Sequence, residues 1–274
     1  MLLTINFLNI VLPLLYFFTL IIYIFDFYKP KAILSNSKRV ILFIGLLTHI
    51  LYLMFRMIEF DHPPITNKFE IFSIISFSIA FSYFILELIT DIRMTGSFII
   101  LFSFIFQTIS SIFIPNDFIV PEILRNRLLG LHVFGAILGY SSFTISAVYG
   151  FLYLLLYKNL RSNKFGILFE RLPSLEILEK LNIYSTIIGF VLLSMAIIVG
   201  IVWLPDAFPN FNFLDAKLIG TILVWCVYVF VIFKKYFTEL TGKNIIYYTL
   251  VGYSFAILSL IITNTFAKTF HSFY

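Results

Sequence analysis

An all-α fold, a polytopic membrane helical bundle with about eight transmembrane helices, is what this sequence predicts, and three observations carry the prediction. Charged residues make up 12% of the 274-residue chain, against roughly 25% in ordinary soluble domains. Hydrophobic residues make up 61%, and the mean hydropathy is +1.01. Polar breaks divide the chain into eight apolar runs, each close to the roughly 20 helical residues that cross a hydrocarbon core about 30 Å thick. The runs lie near 5–26, 40–58, 69–90, 96–114, 129–157, 182–204, 217–235 and 245–267, and 1–274 reads as a single membrane domain. They are too long for barrel strands, and a helix satisfies its own backbone where lipid offers no partner. The first run lacks a basic leader and a small-residue cleavage site, so it reads as a retained span.

Orientation follows from lysine and arginine, which are held back on the cytoplasmic side during insertion. Thirteen of the nineteen fall in loops 27–39, 91–95, 158–181 and 234–244; the other six are Arg56, Lys68, Arg125, Arg127, Lys217 and Lys268. Both termini are therefore expected on the outer, periplasmic side of a bacterial-type inner (cytoplasmic) membrane. The basic balance reports topology and contact with the anionic lipid bilayer, and no nucleic-acid partner is expected.

The single cysteine, Cys226, lies within the seventh run and excludes an internal disulfide or a cysteine cluster. No Walker loop, HExxH, GxGxxG or nucleophile elbow occurs, so phosphate, zinc-hydrolase and dinucleotide chemistry have no support. Within the longest polar interruption, Leu172 to Leu181 places a serine cap before apolar residues at helical spacing. It predicts a short amphipathic helix on the cytoplasmic surface. Gly135 and Gly139 form a GxxxG spacing that admits a close neighbouring helix. Asn67 and Glu70 are expected to cap the start of the third span. No internal repeat is evident, which weakens a transporter reading.

Four histidines occur. The expected topology puts His62, His132 and His271 at the outer face and His49 inside the second span. An ionisable group in a bilayer is a functional candidate by default, although a lone membrane histidine often only bonds a neighbouring helix. His132 and His271 flank, in sequence, the stretch Gly200-Ile-Val-Trp203-Leu-Pro-Asp-Ala-Phe208-Pro-Asn-Phe211-Asn-Phe213-Leu-Asp215-Ala-Lys217. Two neutral imidazoles facing each other across an aromatic outer pocket suit the axial positions of a haem iron. Trp203, Phe208, Phe211 and Phe213 offer faces that stack on a porphyrin, and they equally fit an interfacial aromatic belt. Arg56, Arg125, Arg127 and Lys217 are the outer cations available to propionates, or to lipid phosphates.

These segments resemble the cytochrome c assembly family of membrane proteins, the CcsA, ResC and HemX group. Arg56-Met-Ile-Glu-Phe-Asp-His62-Pro-Pro64-Ile-Thr-Asn67-Lys-Phe-Glu70 is similar to a family segment at matched spacing. Leu131-His132-Val with Tyr140-Ser-Ser, and Asn264 with His271-Ser-Phe, resemble the segments that carry the family's two external haem ligands. Leu172-Pro-Ser-Leu, Gly189-Phe190 and Gly200 to Trp203 match the approach to its WWD signature. Across 208–217 the chain keeps Asp215 and Lys217 but none of the signature's three tryptophans. His49 matches the first of the family's intramembrane histidine pair, while Phe233 stands where the second is expected.

The resemblance implies haem b as cargo or substrate, held by His132 and His271 on the iron. Trp203, Phe208, Phe211, Asp215 and His49 would join the haem contacts, and 203–217 would be the outer haem-binding loop. It implies a CcsB/ResB-like membrane partner and apocytochrome c, to which haem is presented as part of a holocytochrome c synthase complex (system II). The alternative it implies is a HemX-like membrane regulator of haem biosynthesis without synthase activity. The lost tryptophans and the missing second intramembrane histidine favour that alternative.

Overall fold

The computed structural model of the chain describes residues 1–30, 32–115, 122–163, 165–207 and 214–265. Nine α-helices occur among the described residues: α1 (Leu2–Tyr28), α2 (Ala32–Phe60), α3 (Lys68–Thr90), α4 (Gly96–Phe113), α5 (Arg127–Arg161), α6 (Ile167–Arg171), α7 (Leu175–Ala207), α8 (Ala216–Phe237) and α9 (Lys243–Thr265). All but α6 are long and apolar enough to cross a membrane, and the eight expected runs fall on them. The chain is an all-α, multi-pass membrane protein. Helix starts are set by side chains that satisfy the first orphan amides. Asn67 accepts from the amides of Phe69 and Glu70 at 3.0 and 2.9 Å, and Asn126 from those of Leu128 and Leu129. Asp91, in the left-handed region at φ 54°, ends α3.

The segment 172–181 does not form a separate surface helix. Leu175–Leu181 are the first two turns of α7, and Leu172, Leu178 and Leu181 are buried in the main core. Apolar side chains at helical spacing suit a membrane surface and a helix end tucked against other helices equally well. Here the second option wins because α7 carries Glu179 inward. Its carboxylate takes Lys235 Nζ at 2.6 Å and the amide of Gly242 at 2.7 Å, tying the start of α7 to the α8–α9 turn.

Helices α1–α4 pack as one group, α5 with α7–α9 as another, and α3 against α5 joins them. The most extensive contact is α5 on α7. Glycines allow it: a Cβ on Gly139 would stand 3.1 Å from the Gly189 carbonyl oxygen, and one on Gly189 only 2.6 Å from the Phe143 ring. The GxxxG spacing of α5 thus receives α7. Phe143 in turn stacks on Tyr228 with centroids 3.6 Å apart, which brings α8 onto the same seam.

At the basic end of the bundle, charges are paired, and several of them are buried. Lys38 bridges Asp26 and also donates to the Arg93 carbonyl at 2.9 Å. Arg39 reaches Glu87 at 3.1 Å and Asp91 at 2.6 Å, and Tyr23 donates to Glu87 at 2.6 Å. Glu87 is fully buried.

Gly189→Ala is expected to lower folding stability by about 1–3 kcal/mol, the usual range for overpacking a tight core. Gly45→Ala, where an added methyl meets nothing within 4 Å, should leave stability equal or higher. Thermal unfolding of the two detergent-purified variants beside wild type checks the contrast.

Candidate functional site

His132 stands in the second turn of α5, at the end opposite the basic cluster. It is half-buried, and its Nδ1 lies 2.8 Å from the carbonyl oxygen of Ala196 on α7. A carbonyl only accepts, so Nδ1 carries the proton and donates. In a neutral imidazole this assigns the lone pair to Nε2. A backbone carbonyl that holds one ring nitrogen so that the other can bind metal is the usual outer partner of a ligating histidine. The contact exists because α5 and α7 approach closely: one turn along α5 from His132, a Cβ on Gly135 would lie 3.5 Å from that of Ala196.

Around His132 the expected residues divide. Trp203, at the far end of α7, is half-buried and packs against the apolar cluster of Ile65, Ile74, Leu124 and Leu129, as do Val133 and Ile137 of α5. It is therefore brought to the same helix end as His132. Asp215 caps α8, its carboxylate accepting from the Lys217 amide at 2.9 Å, and Lys217 is half-buried within electrostatic reach of the His132 ring. Of the four expected outer cations, Arg125 and Arg127 are exposed. Arg56 departs from expectation: it is 2% exposed and its guanidinium pairs with Glu70 at 2.9 Å, away from any outer ligand. Phe208, Phe211 and His271 lie outside the described residues.

His49 is placed differently from a haem contact. It is fully buried, with Nδ1 at 3.0 Å from Tyr16 Oη and Nε2 at 2.9 Å from Ser73 Oγ. Ser73 donates onward to Gln107 at 3.1 Å, so α1, α2, α3 and α4 share one polar network in the apolar interior. Both ring nitrogens are engaged, and this conformation leaves neither open to iron. His62 is buried in the α2–α3 loop and donates from Nδ1 to the Pro63 carbonyl at 2.8 Å. Among the described residues no group of three or more His, Cys, Asp or Glu side chains is gathered to hold a bare metal ion.

Sequence reasoning missed the partners more than the residues. Arg56 and Glu70 are fourteen positions apart across a loop, and Glu87 looks like an ordinary helix-end carboxylate. A carboxylate inside an apolar run, with an arginine or tyrosine one helix away, is the signal that points to each.

A family model described as "Cytochrome C assembly protein" matches residues 6–271. The chain belongs to this family. Among its relatives, the cytochrome c biogenesis protein CcsA of Guillardia theta is 26% identical over 238 residues, covering 80% of this chain and 79% of the relative. Protein HemX of Brevibacillus brevis is 27% identical over 223 residues, covering 77% and 79%. Protein HemX of Bacillus subtilis (strain 168) reaches 30% identity, over 120 residues and 44% of each chain. Members of the family carrying both names are thus similar to this chain over comparable stretches. In this member of the cytochrome c assembly family one histidine has a fixed tautomer at one end of α5 and another is hydrogen-bonded in the interior.

His49→Ala is expected to cost about 1–2 kcal/mol of stability, since membrane hydrogen bonds average roughly 0.6 kcal/mol and two are removed. The protein should remain folded and monodisperse by size exclusion in detergent, with a lowered unfolding midpoint.

Proposed function

We propose that this protein acts in c-type cytochrome biogenesis, holding haem b at the outer membrane face and presenting it to apocytochrome c. The single observation that carries the reading is the His132–Ala196 hydrogen bond, which directs the imidazole lone pair to Nε2. His271 would be the second residue to hold the iron, and Trp203, Phe208 and Phe211 would stack on the porphyrin. Asp215 caps the start of α8, and Lys217, within electrostatic reach of His132, would offer its ammonium to a propionate. Haem supplies the redox chemistry and the vinyl groups that become thioethers on apocytochrome cysteines. The chain's own residues bind, orient and exclude water, and that division of labour is the usual one for cofactor chemistry.

In this reading both termini face the outer side of a bacterial-type inner membrane, and a CcsB/ResB-like membrane protein completes a synthase complex. His49 serves as an interior hydrogen-bond node and not as an iron ligand. A second reading is favoured by that closed His49 site and by the lost tryptophans: a HemX-like regulator of haem biosynthesis that binds haem or a partner without synthase activity. The similarity to proteins named HemX supports it, more weakly than the similarity to CcsA supports the first.

Detergent-purified wild type should carry a low-spin haem spectrum that collapses in His132→Ala and in His271→Ala. A folded wild type without haem would set aside the haem-holding reading. A deletion strain separates the two functions: loss of mature cytochromes c supports the synthase role, whereas intact cytochromes c with altered haem-precursor levels supports the regulator.

A further inference from the structure

The α2–α3 loop, residues 61–67, is clamped at both ends by buried polar groups. Arg56 is 2% exposed and Glu70 fully buried, and they pair at 2.9 Å. The second carboxylate oxygen of Glu70 accepts from the amide and the hydroxyl of Thr66, at 2.8 and 2.7 Å. Arg56 also donates to the Pro115 carbonyl at 3.3 Å beyond α4, and its guanidinium lies over the Phe60 ring at 4.8 Å. One ion pair thus ties together the end of α2, the loop, the start of α3 and the end of α4.

Between these anchors the loop leans on the segment that carries His132. A Cβ on Gly130 would stand 3.1 Å from Pro63 Cβ and Cγ, so the proline ring sits directly on the first turn of α5, two residues before His132. Ile65, 2% exposed, packs with Leu124, Leu129 and Trp203 in one cluster. The loop therefore sits on the α5 turn beneath the histidine and shares one apolar cluster with Trp203.

A buried ion pair is weak evidence for stability, because desolvation offsets most of the Coulombic gain and apolar side chains of similar volume do as well. What it does give is one geometry: the guanidinium and carboxylate directions are fixed, and so is the loop bonded to them. We propose that the Arg56–Glu70–Thr66 clamp is a positioning device for the haem-holding end. It presses Pro63 and Ile65 onto α5 and Trp203, and so sets where the His132 ring and the indole stand relative to each other. The inference rests on the reading of His132 as a haem ligand. Arg56, Glu70 and Thr66 are positioning residues in it and touch no haem.

The test uses the full-length protein in detergent, titrated with hemin, and compares Glu70→Gln with Glu87→Gln. Glu87 is as deeply buried and is also paired with an arginine, but at the basic end. Glu70→Gln should weaken hemin binding about 10-fold, the lower end of what loss of an outer positioning partner costs, with part of the haem turning high-spin. Glu87→Gln should lower the unfolding midpoint and leave hemin affinity and spin state as in wild type. Pro63→Gly removes the loop's contact with α5 without exposing a charge, and it should change the hemin spectrum in the same direction as Glu70→Gln. It decides the matter if Glu70→Gln does not fold. Wild-type affinity and spectrum in both loop variants, or an equal loss in Glu87→Gln, overturns the clamp while leaving the haem reading intact. Absence of hemin binding in wild type overturns the haem reading, and the clamp's role with it.

Discussion

Hydrocarbon supplies no hydrogen bonds, and nearly every specific feature of this bundle answers that constraint. Several polar groups of its interior take partners from another helix. His49 bonds Tyr16 and Ser73, and Asn182 of α7 donates to Ser146 of α5 at 2.7 Å and Thr249 of α9 at 3.1 Å. Glu87 gathers Tyr23 and Arg39, and Glu70 gathers Arg56 and Thr66. Each of these contacts fixes one helix against others that apolar packing alone, which lipid matches, would leave free to slide.

His132 follows the same rule with a different outcome. Its partner is a backbone carbonyl, available only because the glycines of α5 and α7 let the two helices meet closely. A side-chain hydroxyl in that place would leave the tautomer open. A carbonyl does not, and the lone pair is assigned to Nε2. The two histidines inside spans thus differ in kind: His49 uses both nitrogens to hold helices together, whereas His132 gives one nitrogen to a backbone carbonyl and keeps its lone pair on the other.

The helices were legible because length and hydropathy decide them: eight apolar runs gave eight spans, and only the ends moved. His132 was legible as an ionisable group near the mouth of a span, and the family resemblance rested on motifs that the family model spans from 6 to 271. The pairing of Arg56 with Glu70 was not, since nothing in a sequence of apolar runs says which cation turns inward. Arg56 was expected among outward cations and lies buried. The start of α7 was misplaced because the 3.6-residue pattern of Leu175–Leu181 is the same whether its apolar side meets lipid or helices. Asp215, expected among the haem contacts, also serves as an N-cap, a role that an aspartate before a helix carries in any context.

In the proposed haem site, iron would be held on Nε2 of His132, with Nδ1 still donating to Ala196. A cryo-electron microscopy structure of the hemin-loaded protein tests it most directly. Porphyrin density is expected beside Trp203 with iron bonded to His132 Nε2, and His49 still between Tyr16 and Ser73. Iron on His49, or porphyrin density remote from His132, would contradict it.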